Sequence, residues 1–247
     1  MPREWDAETY DAIADPQFRW GSAVVDRLEL HGAETVLDAG CGSGRVTARL
    51  AERLPRGHVV ALDGSTSMLE TARRRLAPLG DRIRFVNADL MLPLPIDEPV
   101  DAIVSTATFH WVPDHDELFA NLAAVLRPEG RLAAQCGGAG NLVSVVRVLE
   151  ELGADPFTGK VFATPERTEE RLRASGFTAI ACWLHTEPTP FENLGTLETF
   201  LRTVVLGDHV KAMTSEEAAA FSHEVASRLP RLELDYVRLN MDAVRAG

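Results

Sequence analysis

Short apolar segments alternate with segments of helical periodicity over residues 33–137. The apolar segments are predicted as five β-strands, at residues 35–39, 58–62, 83–86, 100–105 and 131–135. Apolar residues at four-residue spacing predict a helix after the first strand, with one face formed by Val46, Leu50 and Leu54. Strands that alternate with helices predict crossover units, and therefore a mostly parallel sheet with helices on both faces.

Helix boundaries and the ends of the chain complete this pattern. Helices are predicted over 65–77, where Ser67 and Glu70 have the spacing of a capping box, and over 114–126. Residues 1–30 are predicted as helical. After Gly138 the pattern changes, and the predicted elements are helices at 141–152, 165–175, 195–206 and 215–229 and strands at 179–186 and 232–241. The helices between the two late strands predict an insertion that covers a pocket.

Composition and charge narrow the class of protein. The 247 residues carry a formal net charge of −12, which disfavours nucleic-acid partners because phosphates are repelled. The chain has no apolar run of the ~18 residues that a membrane span needs, and no signal peptide is predicted at its start. Its three cysteines lack the spacing of a disulfide framework or a zinc site, so we expect no metal and a cytoplasmic protein.

A glycine-rich turn follows the first strand. Gly40, Gly42 and Gly44 lie between that strand and a helix, where glycine permits positive φ angles and close approach of a ligand. The helix N-terminus also presents free N–H groups. A tight turn that binds nothing is the alternative. Asp63 ends the second strand, and an acidic residue about 20 positions after such a turn accepts hydrogen bonds from ribose hydroxyls in nucleotide-binding folds, although it could instead cap a helix.

The residues around this turn discriminate between cofactors. A dinucleotide-binding fingerprint needs glycine at position 45, where this chain has Arg45. Asp38 precedes the turn and suits a cationic ligand better than a pyrophosphate. Asp89 follows the third strand, so that three carboxylates are expected at the carboxyl ends of parallel strands, where open α/β sheets bind ligands. These features favour S-adenosylmethionine over NAD.

The ordered motifs resemble those of class I S-adenosylmethionine-dependent methyltransferases. The resemblance covers roughly residues 20–137 and rests on the segments 36–44, 60–63 with 67–69, 88–89 and 126–131. It implies a Rossmann-like, seven-stranded, mostly parallel sheet with an antiparallel last strand. It also implies a cofactor site in which Gly40 and Gly42 approach the methionine moiety, Asp63 the ribose, and Asp89 and Met68 the adenine. Gly64 and Leu90 are further expected cofactor contacts. Met68 could equally be ordinary helix core.

A narrower resemblance is to the trans-aconitate methyltransferase group, which esterifies small carboxylic acids. It rests on residues 5–10, the segment 109–114 and the helical insertion. In such relatives the N-terminal segment folds over the cofactor, which makes Tyr10 and Trp20 candidate cofactor contacts, or else residues that pack their helix onto the sheet. The chain is therefore interpreted as one domain, with an N-terminal helical cover at 1–32, a cofactor-binding core at 33–138, and a C-terminal part at 139–247 whose insertion spans about 190–230.

His110 is the candidate catalytic base, because it follows the fourth strand and histidine titrates near neutral pH. It could instead orient substrate, contact cofactor or cap a loop. Trp111 could form a wall of the substrate pocket or belong to the core. Arg202 and Lys211 could bind an acidic substrate, although solvated surface is the expected environment of each.

The predicted function is S-adenosylmethionine-dependent methylation of a small molecule, by O-methylation of a carboxylic acid or of a specialised metabolite, with S-adenosylhomocysteine as product. The alternatives are a cofactor-binding protein of the same fold that transfers no methyl group, and an NAD-dependent oxidoreductase. The sequence indicates neither the acceptor nor the oligomeric state.

Overall fold

The computed structural model describes residues 15–247, and these form a three-layer α/β fold around one seven-stranded sheet. The strand order is β3-β2-β1-β4-β5-β7-β6. Only β7 runs antiparallel to its neighbours β5 and β6. The strands are β1 Thr35–Ala39, β2 His58–Asp63, β3 Ile83–Asn87, β4 Val100–Thr106, β5 Leu126–Gly137, β6 Phe177–Pro190 and β7 Glu233–Arg245. The predicted mostly parallel sheet with an antiparallel last strand is therefore confirmed.

The helices lie on both faces of the sheet and in the insertion between β6 and β7. They are α1 Asp15–Arg27, α2 Arg45–Arg53, α3 Thr66–Leu76, α4 His115–Val125, α5 Val143–Glu151, α6 Pro165–Ala174, α7 Leu194–Phe200, α8 Gly207–Val210 and α9 Ser215–Arg228. A π-helical turn at Leu201–Val205 continues α7. None of the helices among residues 15–247 combines the length and hydropathy needed to cross a membrane.

Alternate residues of each central strand enter two separate cores. Leu37 of β1 packs on one face with α4, and Val36 packs on the other face with α1, α2 and α3. This alternation follows from the two-residue period of a strand buried on both faces. A third core holds the insertion together and joins it to Trp20 of α1 and Tyr236 of β7.

Two local predictions are wrong. The cap of α3 is Ser65, whose hydroxyl accepts a hydrogen bond from the Met68 N–H, rather than the predicted pair of Ser67 and Glu70. The fifth strand begins at Leu126 instead of 131, because Leu126 already pairs with Val100 before a register shift in the ladder.

Candidate functional site

The glycine-rich turn is fixed by its own backbone. The Gly40 and Cys41 N–H groups both donate to the Leu62 carbonyl, at 2.8 and 2.9 Å. Gly40 has a φ of +89°, and a Cβ there would lie 2.1 Å from the Thr108 hydroxyl oxygen, so the position excludes any side chain. Gly42 has a φ of +54°, but a Cβ there would meet no atom within 4 Å. The turn therefore leaves open space beside Gly42, which borders a cavity.

Asp63 connects the turn to the start of α3. One carboxylate oxygen accepts from the Gly42 N–H at 2.8 Å, and the other accepts from the Ser65 N–H at 2.8 Å. These bonds hold the carboxylate at the carboxyl end of β2, where it lines the cavity. Each carboxylate oxygen has two lone pairs, so a ligand hydroxyl can be accepted without displacing either backbone bond.

The other predicted cofactor residues converge on the same cavity, with two exceptions among the described residues. The cavity is lined by Gly40, Gly42, Asp63, Gly64, Met68, Asp89 and Leu90. One Asp89 oxygen accepts from the Met91 N–H at 3.0 Å, which orients that carboxyl at its turn. The exceptions are Asp38 and Trp20, which do not line the cavity. Tyr10 lies outside the described residues.

Asp38 is buried within β1. One of its oxygens accepts from the Thr47 hydroxyl of α2 at 2.7 Å, and its Oδ1 has no hydrogen-bond partner among residues 15–247. Burial, opposed by the Thr47 hydrogen bond and reinforced by the charge of Asp63, raises the pKa of Asp38 from 3.8 to about 7. The structure thus contains a buried acid with one unused oxygen directly before the glycine turn.

We call the glycine turn together with Asp63 the cradle. The cavity, of about 390 Å³, extends from the cradle past the end of β4 to the insertion, and we call its lining beyond β4 the far wall. His110 and Trp111, both predicted to lie at a substrate pocket, line it. Residues that the sequence did not single out complete this far wall: Gln17, Asn141, Leu142, Lys160, Phe162, Val204, Val205, Asp208, Tyr236 and Arg238. Arg202 and Lys211 are exposed and lie outside it, as expected for solvated surface.

His110 has the environment of a neutral hydrogen-bond donor. Burial, together with the positive charges of Arg238 and Lys160, lowers the pKa of His110 well below its usual range. Its Nδ1 accepts from the Gly137 N–H at 3.3 Å. The proton of a neutral ring with this bond is on Nε2, which leaves no lone pair free to take a proton from a substrate. The geometry therefore argues against the predicted role as a base.

Among the described residues, the far wall contains two cations, Lys160 and Arg238, and one carboxylate, that of Asp208. Lys160 lies with its Nζ 4.3 Å from the ring centre of Trp111 and 3.8 Å from that of Phe157, and it donates to the Val205 carbonyl at 3.2 Å. Arg238 is only 2% exposed and lies over the Trp20 ring at 4.6 Å. A sequence signal for Arg238 exists, since polar residues alternate with apolar ones along β7. Lys160 has no such signal because it lies in an irregular loop.

Comparison with known proteins agrees with this geometry. A family model described as "Methyltransferase domain" matches residues 36–130. A trans-aconitate 2-methyltransferase of Methylobacterium nodulans is 32% identical over 181 residues, which are 73% of this chain and 67% of that protein. The chain belongs to the class I S-adenosylmethionine-dependent methyltransferases.

Other known proteins are similar in sequence or in fold over part or all of the chain. A trans-aconitate 2-methyltransferase of Azoarcus sp. is 40% identical over 131 residues, which are 53% of this chain and 50% of that protein. The chain therefore spans about half the length of that relative. Phosphoethanolamine N-methyltransferase 2 of Haemonchus contortus, solved with S-adenosylmethionine, has a TM-score of 0.68 at 20% identity over 98% of this chain and 57% of that one. YcgJ of Bacillus subtilis has a TM-score of 0.66 at 18% identity, covering 93% and 99%.

Family membership decides between the cofactors considered above. S-adenosylmethionine is the cofactor of this methyltransferase family, and the NAD-dependent alternative is wrong. Arg45 disfavours NAD because it is the first residue of α2, at the position where a dinucleotide site needs glycine. Its guanidinium lies 4.7 Å from the ring centre of Phe18.

Proposed function

We propose that this methyltransferase transfers the methyl group of S-adenosylmethionine to a carboxylate oxygen of a small acid. The observation that carries the proposal is the single cavity that joins the Gly42–Asp63 cradle to a wall bearing Arg238 and Lys160. The first part suits the cofactor of the family, and the second suits an anionic acceptor.

The residues at the cradle fit S-adenosylmethionine. The open space at Gly42 admits a ligand against the backbone, and Asp63 presents a carboxylate suited to ribose hydroxyls. Asp89 and Leu90, with Met68, would hold the adenine, and Gly40 with Gly42 the methionine part. When bound, the cofactor supplies a methyl group activated on a sulfonium.

The far wall fits a carboxylate better than a phenol or an alcohol. A carboxylate is already ionised at neutral pH and needs no base, and the neutral His110 ring can donate a hydrogen bond but has no free lone pair to accept a proton. Within residues 15–247, the wall carries two cations, Arg238 and Lys160, against one carboxylate, that of Asp208, and this balance favours an anion over a neutral acceptor. Buried Leu142 and Val205 line the same space with apolar surface, and a lower local dielectric strengthens these electrostatic interactions.

The relatives named trans-aconitate 2-methyltransferase make trans-aconitate the first acceptor to test. The assay measures S-adenosylhomocysteine formation with trans-aconitate, other mono- and dicarboxylates, phenols and alcohols. We expect turnover with carboxylates and a methyl ester as product by mass spectrometry. Turnover confined to phenols or alcohols, or binding of cofactor without turnover on any acceptor, would contradict the proposal.

The cofactor assignment has its own test. We expect Asp63→Ala to weaken S-adenosylhomocysteine binding at least about tenfold by titration calorimetry, because the ribose acceptor is lost and the Gly42 N–H loses its partner. Asp81→Ala, at an exposed position outside the cavity, is the matched control. Unchanged affinity in Asp63→Ala would remove Asp63 from the site.

A further inference from the structure

We infer that Arg238 anchors the acceptor's carboxylate and that Gln135 is its positioning residue. The inference rests on the proposed function, because it assigns the group that recognises the acceptor within the same cavity. It is carried by a series of hydrogen-bonded polar side chains that runs from α1 through β7 and β5 to the cavity wall. Its members are Asp242, Arg27, Asn240, Gln135 and Arg238.

The sheet register brings these side chains onto one face. Asn240 of β7 lies opposite Gln135 of β5, and Arg238 lies opposite Gly137. Directly opposed residues of an antiparallel pair share a face, and residues two apart on one strand share it as well. Gly137 has no side chain, and Phe162 and Asn141 occupy the place that its Cβ would take. The side chain of Gln135, two residues earlier on the same strand, contacts the Arg238 guanidinium.

The hydrogen bonds fix the orientation of each group. Arg238 Nε donates to Gln135 Oε1 at 3.3 Å, and Gln135 Nε2 donates to Asn240 Oδ1 at 3.0 Å. Asn240 Oδ1 also accepts from Arg27 Nη1 at 2.7 Å. Because an arginine is a donor only, the atoms facing it at both amides must be oxygens. The two arginines therefore determine which way Gln135 and Asn240 point, and Gln135 in turn determines the plane of the Arg238 guanidinium.

The outer end of this series, at Arg27, is held by an ion pair with Asp242. Arg27 of α1 donates to Asp242 at 3.0 Å and to the Ala134 carbonyl at 2.8 Å, so its side chain has several fixed contacts. The inner end is held by aromatic rings, since the Arg238 guanidinium lies 4.6 Å from the Trp20 ring centre and 5.9 Å from that of Tyr236. The contacts at each end therefore restrict rotation of Arg27 and of Arg238 before any ligand binds.

A restrained guanidinium in a buried wall is suited to carboxylate recognition. An arginine fork meets the two oxygens of a carboxylate with matched geometry, whereas a lysine is a point charge. Gln135 is neutral, so it orients Arg238 without cancelling the positive charge that attracts the acceptor. A glutamate at the same place would pair with the guanidinium and reduce that attraction.

The test measures acceptor binding without turnover, on protein saturated with S-adenosylhomocysteine. Trans-aconitate, succinate and benzoate are titrated by calorimetry, and the carboxamide of the tightest binder serves as its neutral analogue. We expect Arg238→Lys to weaken carboxylate binding at least about tenfold and Gln135→Met by roughly threefold to tenfold, with S-adenosylhomocysteine affinity changed less than about twofold. Gln135→Glu should weaken the acid but not the carboxamide, which a packing role would not produce.

Arg245→Lys is the matched control, because Arg245 lies on the same strand and donates to the Ala123 and Gly176 carbonyls away from the cavity. It should leave carboxylate affinity unchanged. If no carboxylate binds the wild-type protein, the proposed function and the anchor both fail. If carboxylates bind wild type and Arg238→Lys equally, the anchor fails while the function stands. Loss of acid, carboxamide and cofactor affinity together would show a structural role and overturn the inference.

Discussion

Asp38 links the stability of this protein to pH. The side chain is 1% exposed at the carboxyl end of β1, with the Thr47 hydroxyl as its donor and Oδ1 unused. Burial penalises the charged form, the hydrogen bond offsets part of that penalty, and the nearby charge of Asp63 adds to it. The pKa is therefore raised in the folded protein to about 7, from 3.8.

The sign and size of the effect follow from this shift. Between the two pKa values the folded state binds a proton at Asp38 and the unfolded state does not, so the free energy of unfolding falls as pH rises. The stabilisation is fully present below the unfolded pKa and is lost as pH rises through about 7. A shift of about three units corresponds to about 4 kcal/mol, of which about 3 kcal/mol is lost between roughly pH 5 and pH 8.

Asp38→Asn removes the titrating group while keeping an oxygen that can accept from Thr47. The free energy of unfolding is measured by urea titration, followed by circular dichroism, from pH 5 to pH 8. Over this range we expect it to fall by about 3 kcal/mol more in wild type than in Asp38→Asn. Asp81→Asn, at an exposed position, controls for the change in net charge and should follow wild type. Parallel curves for wild type and Asp38→Asn, within about 0.5 kcal/mol, would refute the buried-acid argument.

Two further predictions concern the turn and the histidine. Gly42→Ala should lower the free energy of unfolding by only the roughly 1–2 kcal/mol of a positive φ, and should weaken S-adenosylhomocysteine binding. Gly40→Ala should unfold the protein, because its Cβ would collide with Thr108. Equal stability of the two variants by urea titration would contradict this. His110→Ala should lower the turnover rate without removing an ionisation from the pH–rate profile, and His110→Gln should restore part of the rate through its amide donor; loss of the acidic limb in His110→Ala would instead establish a base.

The cradle could be predicted from sequence because it is built from short-range features. The glycines at 40 and 42 directly follow a strand, and Asp63 ends the neighbouring strand, so a parallel sheet alone brings them together. The sequence also predicts Trp20 near the site, but Trp20 lies beneath Arg238 and not in the cavity wall. Its position depends on how α1 crosses the sheet, which strand and helix periodicity do not encode.

The far wall could be predicted only in part. Polar residues at 238, 240 and 242 alternate with apolar residues along β7, which indicates a polar face. That this face is buried under α1 follows from long-range packing, so Arg238 could not be assigned to a cavity from its strand alone. Lys160 is placed by its contacts with Trp111 and the Val205 carbonyl, which come from distant parts of the chain.

The two parts of the cavity are stabilised in different ways, and this has a consequence for specificity. The cradle depends on backbone groups, since Asp63 is held by two main-chain N–H groups and Gly40 by the Leu62 carbonyl. The far wall depends on side chains of β7, the 157–162 loop and the insertion. Side-chain substitutions in the wall leave the main-chain bonds of the cradle in place. Under the proposed function, the acceptor can therefore change while the cofactor site is kept. The acceptor is then to be established from wall residues such as Arg238 rather than from the glycine turn.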